Sequence, residues 1–391
     1  MLRPVSYYAR ELKAALPRPS FEPAHSRLWW LPVHIGVISF GILSLALGWV
    51  PWLAAAGVSL VIGSSFAGLT FLAHETLHGA IVRGRRMRHL VGAIGFFPFM
   101  ISPRLWIAWH NRVHHGHTQH AGVDPDAYPT LEEYQKHHVL RIMTDHLGPG
   151  GRRPNGALSL LIGFSIQSAH MLFGAKTYGL LSARQRAVAL IESGVAAACW
   201  VSLAFVIGWP AFLFAFVLPL LVANAIVMGF ILTNHSLSPL SDVNDPLFNS
   251  LSVTAPRWLE WVTLGFGFHV EHHLFPWMSS RHAPDVRALI LLHWPERYQS
   301  MPIVRALLAL HRTGRVYKNA TTLADMIGGK ESMTLMPRDW DSKGLTPLVP
   351  RPAVAASVPL FVPGYQAPGY QAPGFQSPVS SGSRMIEPSE G

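Results

Sequence analysis

Three groups of histidines stand at helical spacing in this chain. They are His74 and His78 in HETLH, His110, His114 and His115 in HNRVHH, and His269, His272 and His273 in HVEHHLFP. At i, i+3 and i+4 the last three share one face of a helix, so their imidazoles can converge. His110 and His114 share a face in the same way, and His115 stands about 100° round the helix, within reach of a second metal. Eight such rings are too many for one zinc, which takes about four protein ligands. Imidazole also suits iron. His235, closing the last long apolar stretch, is a ninth candidate. Nine neutral nitrogens with few carboxylates point to two ferrous ions, each keeping a position for dioxygen. Soluble di-iron bundles use Glu-x-x-His pairs instead, and no such set is present here. His117 and His120, in GHTQH, read as exposed loop histidines. His34 lies inside an apolar span without a histidine neighbour and reads as a packed or cavity-facing ring.

HETLH also fits H-E-x-x-H, in which two histidines hold zinc and Glu75 activates water for proteolysis. That reading leaves the other two histidine groups without a role. In the di-iron reading the metal ligands within HETLH are His74 and His78 alone, and Glu75 points away or supports a ligand. No further catalytic side chain is singled out beyond the metal ligands.

These groups need a scaffold, and the composition says which kind. Half of the 391 residues are hydrophobic and only 13% are charged, against about 25% in ordinary soluble domains. The class is an all-α membrane protein. The net charge of +10 forms no basic stripe interleaved with aromatics. Nucleic acid is therefore not an expected partner, and the basic residues, lying between apolar spans, are expected to meet anionic lipid. Cys199 is the single cysteine, which rules out an intrachain disulfide. The N-terminus lacks the pattern of a signal peptide.

Leu28–Val50 and the stretch from Pro51 to His74 carry no Lys, Arg, Asp or Glu, and each exceeds the roughly 20 residues that cross a bilayer. GWVPW joins them as a hairpin tip. Ala187–Trp209 and Pro210–Thr233 form a second hairpin through GWP, with Glu192 and Asn224 expected to face protein. Leu90–Ser102 is too short to cross and reads as re-entrant or interfacial. Leu158–Ala175, interrupted by Ser165, Gln167, Ser168 and His170, reads as an in-plane helix. The expectation is four transmembrane helices in two hairpins, in-plane helices and a cytosolic helical cap holding the metals.

Lys and Arg number five in residues 1–27, ten in 76–157, three in 176–186 and thirteen after His235, with none at the hairpin tips. The positive-inside tendency puts both termini and every histidine group in the cytoplasm. The chain divides into a segment 1–27, interfacial or solvated, a membrane domain with its cap at 28–335, and a Pro/Gly-rich tail at 336–391. PGYQA-PGYQA-PGFQS repeats in that tail, which has too few aliphatics to order itself.

HETLH, HNRVHH and HVEHHLFP together resemble the three histidine boxes of the integral-membrane fatty acid desaturases, in order and in placement after the hairpins. The resemblance covers roughly residues 30–310. It implies a four-span scaffold whose cytosolic cap holds two irons and inserts a double bond into a fatty acyl chain, using dioxygen and two electrons. It carries the ligand role to His74, His78, His110, His114, His115, His269, His272 and His273, and His235 resembles an extra ligand found after the last span in some members. No His-Pro-Gly-Gly haem motif is present, so electrons come from a separate carrier, such as a ferredoxin or a b-type cytochrome. The third box begins with His269 rather than Gln, which disfavours a front-end desaturase. The resemblance leaves three carriers for the acyl group: lipid, coenzyme A or a carrier protein. A hydroxylase or ketolase with the same boxes, acting on an alkane, sterol or carotenoid, is the nearest rival, and a metal-binding module without catalysis is a further one.

Overall fold

A computed structural model describes residues 1–338 apart from Pro149. The repeats at 363–377 lie outside the described residues. After α1 (Val5–Ala15), α2 (Trp30–Ala46) and α3 (Trp52–Leu77) form the first hairpin. Its tip turns at Gly48, whose φ of 67° suits a residue without Cβ. Trp49 and Trp52 lie exposed beside the turn, as interfacial tryptophans do. The chain continues through α4 (Arg85–Gly95) to α5 (Pro103–Trp106), which runs on as a π-helix, Ile107–His114. α4, at about 16 Å, cannot cross a hydrocarbon core of about 30 Å; it packs on α3.

α6 (Leu131–Lys136) and α7 (His138–His146) fill the polar insertion. α8 (Ala157–Gly174) precedes α9 (Ala183–Ile207). The return from Gly208 is built of α10 (Trp209–Phe212), a π turn at Leu213–Val217, and α11 (Leu218–His235). The polar residues of these spans face protein, as expected. Glu192 pairs with Arg104 at 3.2 Å. Asn224 accepts from the Ser165 backbone N–H and donates to its Oγ, both at 3.0 Å, tying α11 to α8.

Five stretches among the described residues are long and apolar enough to cross a membrane: His25–Ala46, Trp52–Leu77, Ala157–Gly174, Ala183–Ile207 and Trp209–His235. The third of these contains α8, which the sequence pattern reads as lying in the membrane plane. Ser165, Gln167 and Ser168 bond within the protein, whereas His170 is exposed beside Tyr178. Gln167 donates to Pro125 O and to Asp126 Oδ1.

Beyond α11 come α12 (Pro246–Asn249), β1 (Ser252–Thr254), α13 (Arg257–Val262), α14 (His269–Leu274) and α15 (Ala283–His293). β2 (Ser300–Pro302), α16 (Ile303–Arg312) and β3 (Val316–Asn319), β4 (Thr322–Ala324) and β5 (Glu331–Met333) follow. β1 and β2 pair in parallel, and β3, β4 and β5 form an antiparallel sheet. α1 is part of this layer. Its Tyr8, Leu12 and Leu16 are buried with Leu247, Val270, Leu274 and Phe275, so the amphipathic face of the N-terminal segment is turned into the protein, against α14 and α15.

Candidate metal centre

α3 and α11 pack side by side and end at the same level. α3 delivers His74 within its last turn and His78 as its cap; α11 delivers His235 as its final residue. Box two arrives on the π-helix and box three on α14. All nine sequence candidates meet here, in two adjacent groups: His74, His78, His110, His115 and His272 in one, His114, His235, His269 and His273 in the other. Within each group the ligand nitrogens lie within 4.8 Å of one another. His117 and His120 belong to neither: His117 Nδ1 faces Val113 O, and His120 lies 3.7 Å from Asp242. His34 is a packing ring, stacked on Trp30 and seated over Gly68.

The allocation departs from α-helical geometry. In the larger groups His110 stands with His115 rather than His114, although His110 and His114 also meet in a smaller set with Asp126. The cause is the π-helix: the His115 N–H donates to His110 O at 3.1 Å, so residues five apart are nearly one full turn apart. π turns are rare and collect at functional sites. His114 then faces the other group and stacks on His110 at 5.0 Å between centroids. α14 spans both groups, giving His272 to one and His269 with His273 to the other.

The donor set fits metal ions. In the first group Nε2 atoms meet at 2.9 Å (His74–His110), 3.2 Å (His110–His115) and 3.1 Å (His115–His272). In the second they meet at 2.6 Å (His235–His269) and 3.1 Å (His269–His273). Nitrogens placed about 2.1 Å from one cation at right angles would stand about 3 Å apart. His114 Nε2 and both nitrogens of His78 are buried without a hydrogen-bond partner, and buried polar atoms are rarely left so. Burial first, and the neighbouring imidazoles next, hold His110, His115, His272 and His273 well below the ordinary histidine pKa. Neutral rings are what metal binding requires.

Supporting side chains fix several rings. Asp124 Oδ1 lies 2.8 Å from His114 Nδ1, and Asp126 lies 3.4 Å from the same nitrogen. Burial opposes a charge on His114, but these carboxylates outweigh it and push its pKa up to about 9, so a cation bound at Nε2 takes the place of a proton there. With the Nδ1 proton held by Asp124, Nε2 is left to bind a cation, the arrangement that carboxylate–histidine–metal sites use. Thr118 Oγ1 stands 3.3 Å from His273 Nδ1. Gln119, buried with φ 57°, donates from its backbone N–H to Asp124 Oδ2 and from Nε2 to His235 O. The carboxylates inside boxes one and three face away from the metals. Glu75 pairs with Arg27 at 2.8 Å and accepts from Ser280 N–H, so it is occupied as an anchor and is not presented as a base. Glu271 is held by Arg287, Tyr298 and Ser252.

Phe266 closes the apolar side. Its ring lies 5.0 Å from both His74 and His269, and 6.3 Å from His272. It also touches Phe71 and Phe230, which precede His74 and His235 on α3 and α11. The turn that inserts it has positive φ at Leu264 (54°) and Gly265 (76°), backbone strain of the kind kept at functional sites. Spacing arguments found neither Phe266 nor Gln119. Asp124 and Asp126 were legible as a DPD tripeptide, but nothing in the sequence linked them to His114.

A family model described as fatty acid desaturase matches residues 47–304. The sn-1 oleoyl-lipid 12-desaturase of Arthrospira platensis is 24% identical over 265 residues, which cover 64% of this chain and 73% of that protein. An sn-1 acyl-lipid omega-3 desaturase (ferredoxin) of Synechocystis sp. is 27% identical over 125 residues, 32% of this chain and 34% of its own length. The chloroplastic omega-6 fatty acid desaturase of Spinacia oleracea is 21% identical over 309 residues, 73% of this chain and 64% of its own.

Proposed function

This chain belongs to the fatty acid desaturase family of oxidoreductases, and from that premise we propose that it inserts a double bond into acyl chains of membrane lipid, using two irons held by nine histidines. The observation that carries this is the meeting of all nine rings, from three distant boxes and the end of α11, in two cation-sized groups. The first iron takes His74, His78, His110, His115 and His272, and the second takes His114, His235, His269 and His273. Lipid is preferred to coenzyme A or a carrier protein as the acyl support because two relatives are named for acyl-lipid activity. The carrier is of the ferredoxin class, as in the name of one of them.

Iron, when bound, supplies the activation of dioxygen that oxidises a methylene pair to an alkene. The chain's part is position and exclusion. Neutral imidazoles are held at fixed spacing on helix ends, and Asp124 keeps His114 in the Nδ1–H form. Phe71, Phe230 and Phe266 form an apolar floor against which an acyl chain lies next to both groups, and from which water is kept.

Four spans, with both termini and the metal groups in the cytoplasm, fit a parity argument. Box two meets box one at the end of α3, whereas α11 starts at the opposite end of its own length. An odd number of crossings must separate them. α9 supplies one, so α8 remains at the cap, consistent with its bonds to Asp126. The abundance of Lys and Arg on the box-bearing side fits a cytoplasmic cap. The membrane domain with its cap is residues 28–335, with 1–27 before it and 336–391 as the tail.

Expression in a host lacking the activity, followed by gas chromatography and mass spectrometry of its fatty acids, tests the reading. The expected product is an alkene lighter than its precursor by a pair of hydrogens. An alcohol, heavier by one oxygen, would assign the chain to hydroxylation. Iron assay of the purified protein should give two per chain.

A further inference from the structure

Six tryptophans are exposed among the described residues, and they fall into two sets. Trp49, Trp52 and Trp209 stand at the hairpin tips. Trp29, Trp258 and Trp261 stand at the opposite end, with the histidine boxes. At helical rise the stretch from Trp29 to Trp49 spans about 30 Å, which matches a hydrocarbon core of about 30 Å. Trp29 therefore marks the box-side interface, where tryptophan concentrates.

α13 is tied to that level. Arg27, which precedes Trp29, donates from Nη1 to Leu264 O at 2.8 Å. Leu264 is buried with Leu72, Ile81 and Val82, against Leu28, Trp30 and Leu31 at the start of the first span. α13 also packs on α3, yet none of its six residues is buried. Trp258 and Trp261, three apart, share one face and are 58% and 60% exposed. The exposed Arg257 holds its guanidinium 5.8 Å from the Trp261 ring centroid. The helix ends with Gly265 N–H donating to Glu260 O and Leu264 N–H to Trp261 O, the paired bonds of a Schellman stop. One turn thus joins the exposed tryptophans to Phe266, whose ring reaches both histidine groups.

We propose that α13 lies in the headgroup layer of the box-side leaflet and docks the phospholipid that carries the acyl chain, with Trp258 and Trp261 seated in the interface and Arg257 on the phosphate. The inference rests on the acyl-lipid reading. Indole rings favour the headgroup level over water, the first span begins beside α13, and a guanidinium matches phosphate. A lipid docked here stands beside the turn that presents Phe266, so its acyl chain reaches the histidine groups without crossing water.

The experiment uses the full chain, iron-loaded, in nanodiscs of palmitoyl-oleoyl phosphatidylglycerol diluted into a phytanoyl-chain lipid. Trp258→Ser with Trp261→Ser should raise the KM, expressed as mole fraction of the acyl lipid, about fivefold or more, and Arg257→Glu should raise it similarly. In both, kcat, iron content and melting temperature should stay at wild-type values. Trp258→Tyr with Trp261→Tyr should restore the KM, because tyrosine also favours the interface. With Cys199→Ser and Pro256→Cys, a nitroxide at position 256 should report headgroup depth through its relaxation by oxygen and by a water-soluble nickel complex. An unchanged KM in the serine pair or in Arg257→Glu, a tyrosine pair no better than the serine pair, or a nitroxide in bulk water overturns the proposal. Product formed by the wild type in the same discs reports on the desaturase reading separately from docking.

Discussion

At the scale of single residues, the metal centre depends on side chains that bind no metal. Asp124 is buried and bonded to both His114 and the Gln119 N–H, so its charge and its direction are both fixed. Asp124→Asn keeps the size but removes the anionic acceptor. Iron affinity of the four-histidine group should fall about 10- to 100-fold, read as iron per chain after dialysis against graded chelator. An unchanged iron content would remove Asp124 from the design. Phe266 makes a different prediction, because it touches rings of both groups from the apolar side. Phe266→Leu should retain iron and spread the double bond over neighbouring positions, as seen by mass spectrometry of derivatised fatty acids. A single unshifted position would show that this ring does not face the acyl chain.

At the scale of elements, the π-helix at Ile107–His114 decides which histidine joins which group. It holds one residue more than an α-helix of the same rise. Inserting one alanine after Val113 should turn His114 and His115 by about 100° relative to His110. Iron should be lost from the five-histidine group while helix content by circular dichroism is maintained. Retention of both irons would mean that the wide turn is incidental. α14 is similarly constrained: Ser252 Oγ receives the N–H groups of His269 and Val270, and Glu271 locks the same helix to Arg287.

For the whole molecule, the two apolar hairpins bring α3 and α11 together, and the cap joins segments as distant as α1 and α15. Each histidine group takes rings from one hairpin and from both later boxes, so metal binding and the packing of those segments are coupled. Iron that binds the folded state alone raises the unfolding temperature by mass action. Removal by chelator should lower the melting temperature of the cap, and re-addition of ferrous iron should restore it. A melting curve indifferent to iron would mean that the cap is formed without reference to the metals.

The uncharged runs, the three boxes at helical spacing and the separation of His34, His117 and His120 from those boxes could all be read from neighbouring residues alone. Helical period and hydrophobic length are local properties, and they were enough to name both hairpins and all nine histidines. They did not determine the five-and-four partition of the rings, because a π turn closes its hydrogen bond over five residues and leaves no mark in an i, i+4 pattern. They also missed the seat of α1 in the cap, the anchoring of Glu75 by Arg27, and the approach of Asp124 to His114. Each of these is a meeting of faces separated along the chain, and it is settled only when the helices pack and every buried polar group must find a partner.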